Sequence, residues 1–191
     1  MAGFHFLWSD LMNLVLREPW TVERFLDWED QQERKHEFDG TQIIEMTGGS
    51  RAHQRIIGNL LRLLEDDLDP DRFDVIQEMR IEVGGKIRYP DISVVAGTVD
   101  EGEKTLHDAL VVFEVLSEDT AGRDLGPKLA EYFDLPSICR YVIVEQRRMS
   151  IRSHERTPSG WMQRELVSGV LELPEVGIAL PVEAIYRRVR L

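Results

Sequence analysis

Two carboxylates stand in segments that otherwise have the composition of buried β-strands. Asp91 lies in residues 88–95, RYPDISVV, and Glu114 lies in residues 110–116, LVVFEVL. A charged carboxylate in an apolar strand is costly unless a cation pairs with it or it coordinates a metal ion. Lys128 follows on a predicted helix. Together these residue types predict a site for a hard divalent cation with a cationic side chain beside it.

Each candidate residue also has a purely structural interpretation. Asp91 could be a turn residue at a strand edge, and Lys128 could be a solvated helix residue. Glu37 lies in the charged run 33–37, ERKHE, which is typical of an exposed helix face. His53 stands at a predicted helix start, where a capping or packing histidine is more common than a metal ligand. Glu114 is the hardest to explain structurally, because apolar residues flank it on both sides.

The first third of the chain is predicted to be helical, with one hairpin. Thr21 has the position of a helix N-cap, and the charged stretch after it is predicted to continue the helix through Glu37. Asp39-Gly40 is a hairpin turn pattern. Ser50 can cap the next helix, whose apolar side chains repeat at helical spacing. That stripe consists of Ile56, Ile57, Leu60, Leu61 and Leu64.

The remainder is predicted to be rich in strands. They are expected at Asp74–Met79, Arg80–Val83 and Ile87–Val95, and the most apolar strand, Ala109–Leu116, is expected at the centre of the sheet. A helix is expected from about Leu125 to Phe133. Further strands are predicted at 141–145, 149–154, 162–166 and 170–173, with a last helix that has Pro181 at its first position. The element order predicts an α+β or mixed α/β fold with one central sheet.

Length and composition predict a single globular domain. Its expected span is 21–191, after an N-terminal extension at 1–20. The net charge of −12 argues against a sequence-blind coat on nucleic acid, but not against an enzyme whose metal-binding carboxylates are themselves acidic. The single Cys139 precludes an intrachain disulfide, and no segment has the ~18–20 apolar residues of a membrane span. These features predict a cytoplasmic location without membrane attachment.

Several short motifs occur in the order and at the spacing of a known family. They are residues 35–40 (KHEFDG), 50–53 (SRAH), 59–60 (NL), 89–95 (YPDISVV) and 113–117 (FEVLS), followed by Asp124, Lys128 and Tyr132. Through these residues the chain from about Thr21 to Leu191 resembles the Uma2 (Uma-two) family of restriction endonucleases, within the PD-(D/E)xK nuclease superfamily. The resemblance implies a restriction-endonuclease-like fold, in which helices flank a mixed central β-sheet.

The resemblance also implies roles for individual residues. Asp91 matches the motif aspartate, and Glu114 matches the motif acidic residue. The usual lysine of the superfamily would stand at position 116, where this chain has Leu116. In the resembling family the lysine comes from the following helix, where Lys128 matches it. Glu37 matches an early-helix glutamate that can complete a metal site.

Two further polar residues match positions near the family's site. They are His53 and Asp124. Asp124 stands four residues before Lys128, so it could hold that lysine in position if both are helical. The segment 117–120, SEDT, is more acidic than the Ser-Pro-Ser-Thr expected there. If Lys128 is not used, Lys35 and Arg88 are the next candidates for offsetting charge on a substrate.

The expected activity is Mg²⁺- or Mn²⁺-dependent hydrolysis of phosphodiester bonds, with DNA as the expected partner. Asp91, Glu114, Glu37 and the main-chain carbonyl of Val115 would hold the cation, while Lys128 would orient water or offset charge on the phosphate. Two alternatives stay open: a binding protein that keeps the nuclease fold without turnover, and a metal hydrolase with a non-nucleic substrate. A homodimer also stays open, because two-fold assemblies are common and cutting both strands needs two sites.

Overall fold

A computed structural model describes residues 19–116 and 126–191, and it confirms the mixed α+β class. The helices are α1 (Val22–Glu29), α2 (Arg51–Asp67), α3 (Pro127–Asp134) and α4 (Val182–Ile185). The strands are β1 (His36–Phe38), β2 (Ile43–Glu45), β3 (Phe73–Gln77), β4 (Arg80–Val83), β5 (Lys86–Arg88), β6 (Ile92–Ala96), β7 (Thr105–Leu106), β8 (Ala109–Val115), β9 (Arg140–Val144), β10 (Ile151–Thr157), β11 (Gly160–Leu166), β12 (Val170–Leu173) and β13 (Ile178–Pro181). No helix in these two ranges is both long and apolar enough to cross a membrane.

A six-stranded mixed sheet forms the centre of the fold, in the order β11-β10-β9-β8-β6-β3. Strands β8 and β9 pair in parallel, and the other neighbours are antiparallel. As predicted, the apolar β8 lies inside this sheet. Alternate side chains of a strand face opposite sides of the sheet. Val111, Phe113 and Val115 pack in the core with α2, so Glu114 faces the side occupied by Val112 and the α3 residue Tyr132.

A five-stranded sheet lies beside the central one, in the order β2-β1-β5-β4-β7, and β12 pairs with β13 in a separate hairpin. The single strand predicted over Ile87–Val95 is therefore two strands, β5 and β6, which belong to different sheets. Pro90 lies at the break, and proline cannot donate a main-chain hydrogen bond to a sheet ladder. The break leaves Asp91 immediately before β6, where the chain passes from one sheet to the other.

Glu37 lies on a strand rather than on the predicted helix. Helix α1 ends at Glu29, and Glu37 pairs with Ile44 in the hairpin of β1 and β2. The neighbouring Phe38 is buried and its ring stacks on Phe25 of α1 at 5.4 Å between ring centroids. Burying Phe38 against α1 requires the chain to turn back, so the helical expectation for this charged segment was wrong.

Most local signals agree with the structure. The Thr21 and Ser50 side chains accept hydrogen bonds from the first turns of α1 and α2, as their cap positions predict. Pro181 is the N-cap of α4 rather than its first residue. The short strands β7 and β13 were not predicted. Asp124, the segment 117–120 and most of the expected extension at 1–20 lie outside the described residues.

Candidate functional site

Several of the residues singled out in the sequence line one cavity of about 630 Å³. Glu37 reaches it from β1, Asp91 from the start of β6, Glu114 and Val115 from β8, and Lys128 from α3. His53 reaches it from the first turn of α2. The two sheets and two helices thus bring together residues that are separated by up to about half of the domain length. Asp124, the remaining candidate, lies outside the described residues.

Lys128 forms ion pairs with two buried carboxylates. Its Nζ lies 2.8 Å from Oε1 of Glu37 and 3.1 Å from Oε1 of Glu114. Lys128 is only 3% exposed, and each glutamate is 4% exposed. Pro127 occupies the first turn of α3, as the sequence suggested, so Lys128 is held at the helix start. The hydroxyl of Tyr132, one turn further, donates to the same Glu114 oxygen at 3.4 Å.

A second set of charged side chains packs behind Lys128 and its two glutamate partners. Arg88 donates two hydrogen bonds to Glu131, at 2.7 and 2.9 Å, and its Nη1 lies 3.4 Å from Glu37. Lys86 also donates to Glu131, at 2.7 Å. Burial disfavours the charged form of Arg88, but Glu131 and Glu37 outweigh it and raise the arginine's pKa. Burial likewise works against the Glu131 carboxylate, but Arg88 and Lys86 hold its pKa below the usual value.

Asp91 is fixed by a main-chain group and by a histidine. Its Oδ2 accepts a hydrogen bond from the Val115 N–H at 2.6 Å, which ties the start of β6 to the end of β8. Its Oδ1 lies 3.3 Å from Nε2 of His53. The imidazole packs against Gly49, because a Cβ at that glycine would lie 2.5 Å from Cδ2 of His53. Only a residue without a side chain fits there.

The oxygen donors at the cavity fit a hard divalent cation. Within 19–116 and 126–191, no three His, Cys, Asp or Glu side chains form a group that could hold a metal ion by themselves. Mg²⁺, however, is commonly held by one or two carboxylates and keeps several waters. Asp91 and Glu114 open onto the same cavity, and Val115 follows directly in the strand. A two-carboxylate site completed by water, substrate oxygens and a main-chain carbonyl is compatible with this arrangement.

Lys35 and Arg88, the alternatives to Lys128 for offsetting charge on a substrate, differ in position. Lys35 lines the cavity and its Nζ donates to the main-chain oxygen of Glu78 at 2.6 Å. Arg88 lies behind Glu37 and is committed to Glu131. Sequence reasoning missed Glu131. The available signal was its position three residues after Lys128, which puts both side chains on one face of a helix.

Comparisons with known proteins identify the family and the fold. Residues 22–183 match the model of the Uma2 family, described as "Putative restriction endonuclease". Two uncharacterized proteins of Synechocystis sp. are similar: slr1290 is 30% identical over 86% of this chain and 90% of its own length, and sll1609 is 26% identical over 80% and 90%. A crystal structure from Anabaena variabilis, titled "a putative nuclease belonging to DUF820", has the same fold. It has a TM-score of 0.74 at 15% identity, covering 88% of this chain and 98% of the other. This chain therefore belongs to the Uma2 family.

Proposed function

We propose that this protein is a metal-dependent nuclease that hydrolyses phosphodiester bonds of DNA. One observation carries the proposal: Asp91 and Glu114 open onto one cavity in which the Lys128 ammonium is 3.1 Å from Glu114. Membership of a family described as restriction endonucleases supports nucleic acid as the substrate class. The Anabaena structure, described as that of a nuclease, agrees with it.

The proposed cation site uses the oxygen ligands of the cavity. Asp91 and Glu114 would bind Mg²⁺ or Mn²⁺, with the Val115 carbonyl and Glu37 as further ligands. The chemistry that such a cation supplies is a lower pKa for the attacking water and polarisation of the phosphate. The hydrogen bond from the Val115 N–H fixes one oxygen of Asp91, which lines the cavity.

Lys128 and His53 have different proposed roles. The Lys128 ammonium would offset negative charge that grows on the phosphate oxygens, or orient the attacking water. Its two glutamate partners hold the ammonium at the cavity. His53 would act as a positioning residue, because its Nε2 contacts Asp91 and its ring packs against Gly49.

The test is a cleavage screen with supercoiled plasmid, linear duplex, single-stranded DNA and RNA. Metal-free protein should be inactive, and added Mg²⁺ or Mn²⁺ should restore cleavage, with Mn²⁺ binding more tightly. Asp91→Ala should remove most of the Mn²⁺ binding seen by calorimetry. The matched control is Glu82→Gln, which changes an exposed carboxylate on β4 outside the cavity.

Other outcomes identify the alternatives. Tight binding of nucleic acid without cleavage in any metal would indicate a binding protein that keeps the nuclease fold. Metal binding without any effect of nucleic acid would indicate a hydrolase for a different substrate. Equal Mn²⁺ binding by the native chain and Asp91→Ala would contradict the assigned site.

A further inference from the structure

An arginine-rich groove runs along the outer face of α2, beside the candidate site. It has a volume of about 510 Å³ and is lined by Arg51, Gln54, Arg55, Gly58, Asn59, Arg62, Arg187 and Arg188. All five arginines are exposed, and no acidic side chain lines the groove. In a chain with net charge −12, such a local concentration of positive charge is unexpected from composition. We call this surface the arginine groove.

Most of these guanidinium groups form no ion pair with the described residues. In the described parts of the chain, Arg51, Arg55, Arg187 and Arg188 form no ion pair, whereas Arg62 lies 3.3 Å from Asp66. Four adjacent guanidinium groups repel one another, so their clustering does not stabilise the folded chain.

The charge order along α2 also runs against helix stability. The helix begins at Arg51 and carries no acidic residue in its first turn and no basic residue in its last turn. Glu65, Asp66 and Asp67 instead occupy the C-terminal end. The helix dipole favours the opposite arrangement, with acidic side chains first and basic ones last. The helix dipole therefore does not account for the basic N-terminal end of α2.

The C-terminal pair is held against α2 by a buried side chain. Nδ2 of Asn59 donates to the main-chain oxygens of Ile185 and Arg187, at 2.8 and 2.9 Å. Arg188 has a φ of 60°, a left-handed conformation that is uncommon for residues with a side chain. These contacts place Arg187 and Arg188 across the groove from the arginines of α2, so the surface is built by two separate segments.

The groove has the shape and length for a nucleic-acid backbone. Gly58 lies on the same helix face as Arg51, Arg55 and Arg62, and a Cβ there would meet nothing within 4 Å, so the surface between the arginines is open. Arg51 and Arg62 are separated by about 16 Å along the helix axis. A groove of this length can contact more than one successive phosphate of a DNA strand.

The groove is continuous with the candidate catalytic cavity. Gln54 lines both spaces, on the turn of α2 that also carries His53. We propose that the arginine groove binds the phosphate backbone of duplex DNA beside the bond that enters the cavity. This inference rests on the proposed nuclease function, because it assigns the substrate contact of that same site.

The test measures binding of a labelled DNA duplex to metal-free protein between about 50 and about 200 mM salt. Each phosphate contact contributes about 0.9 to the slope of the logarithm of the binding constant against the logarithm of the salt concentration. Arg51→Gln/Arg55→Gln should reduce the magnitude of that slope by about 1.8, equally for unrelated DNA sequences. Glutamine preserves helix propensity at these exposed positions, so α2 should remain folded. Arg187→Gln/Arg188→Gln provides a second variant outside the helix, with the same expected loss. Duplex RNA of the same sequence should bind more weakly than DNA.

The matched control is Arg72→Gln/Arg164→Gln, which removes the same charge from exposed residues outside the groove. It should leave the slope unchanged. Equal slopes for native and groove variants, equal losses in the control, tighter binding of RNA, or no binding of DNA by native protein would each overturn the proposal. Cleavage separates the two inferences. If the groove variants retain metal-dependent cleavage at native efficiency, only the assignment of the arginine groove is contradicted. If DNA binds with the expected salt slopes but is not cleaved, only the nuclease function is contradicted.

Discussion

Replacing Lys128 by methionine should destabilise the protein strongly. Lys128 is the cation between Glu37 and Glu114, and all three side chains are nearly inaccessible to water. Methionine preserves much of the apolar stem but removes the charge. Removing one partner of a buried ion pair typically costs about 3–5 kcal/mol, because the remaining charge is left buried.

The expected loss lies near the lower end of that range. Glu37 keeps Arg88 at 3.4 Å, and Glu114 keeps the Tyr132 hydroxyl at 3.4 Å. We therefore expect Lys128→Met to lower the free energy of unfolding by about 3 kcal/mol. For a chain of this length that corresponds to a fall in Tm of about 6–12 °C.

Urea unfolding of metal-free protein measures this loss, and Lys86→Met is the matched control. The Lys86 side chain is 32% exposed, and its partner Glu131 keeps both hydrogen bonds from Arg88, so the control should lose less than about 1 kcal/mol. Adding Glu114→Gln to Lys128→Met should cost less than the sum of the two single changes, by at least about 1 kcal/mol. Equal losses in Lys128→Met and Lys86→Met, or strict additivity, would refute the assigned network.

Three further predictions concern single groups. The pKa of the Glu131 carboxyl in the folded protein lies below its ordinary 4.5. As pH drops below 4.5, this carboxyl is protonated more readily in the unfolded chain than in the folded one, so the free energy of unfolding falls. Glu131→Gln should therefore show a shallower dependence of the urea midpoint on acid pH. Burial raises the pKa of Tyr186 to about 12 from 10, so stability should fall as pH rises across that window, and Tyr186→Phe should flatten the fall. In single-turnover cleavage at saturating Mn²⁺, Lys128→Ala should reduce the rate by ~10²–10³-fold. Lys128→Arg should restore little, since a planar guanidinium does not replace a compact ammonium, and near-native rates would remove Lys128 from the mechanism.

Local sequence signals predicted the elements that a few adjacent residues determine. The Thr21 and Ser50 caps, the stripe on α2 and the apolar strand β8 follow from propensity and periodicity alone. The predicted strand around Pro90 is divided between two sheets. This division depends on which distant strands pair with each half. Pairing is a tertiary property that periodicity does not contain.

The candidate site was predicted as a set of residues but not as a set of contacts. Asp91 and Glu114 were conspicuous because charge interrupts apolar strands, and the family resemblance supplied Lys128 and Glu37. The contact between Lys128 and Glu37 joins α3 to β1, which sequence reasoning had assigned to a helix. For Glu131 the only signal was its helical spacing from Lys128, which is weak because a glutamate on a short helix is ordinarily exposed.

The most direct test of the central claim is metal-dependent DNA cleavage by the native chain, Glu114→Gln and Glu82→Gln under single-turnover conditions. The proposed site predicts that native protein and Glu82→Gln cleave with the same rate and the same dependence on Mn²⁺. It predicts that Glu114→Gln, folded as judged by its melting curve, loses cleavage at every Mn²⁺ concentration. Cleavage by Glu114→Gln at the native rate, or cleavage by native protein after complete removal of metal, would contradict the account.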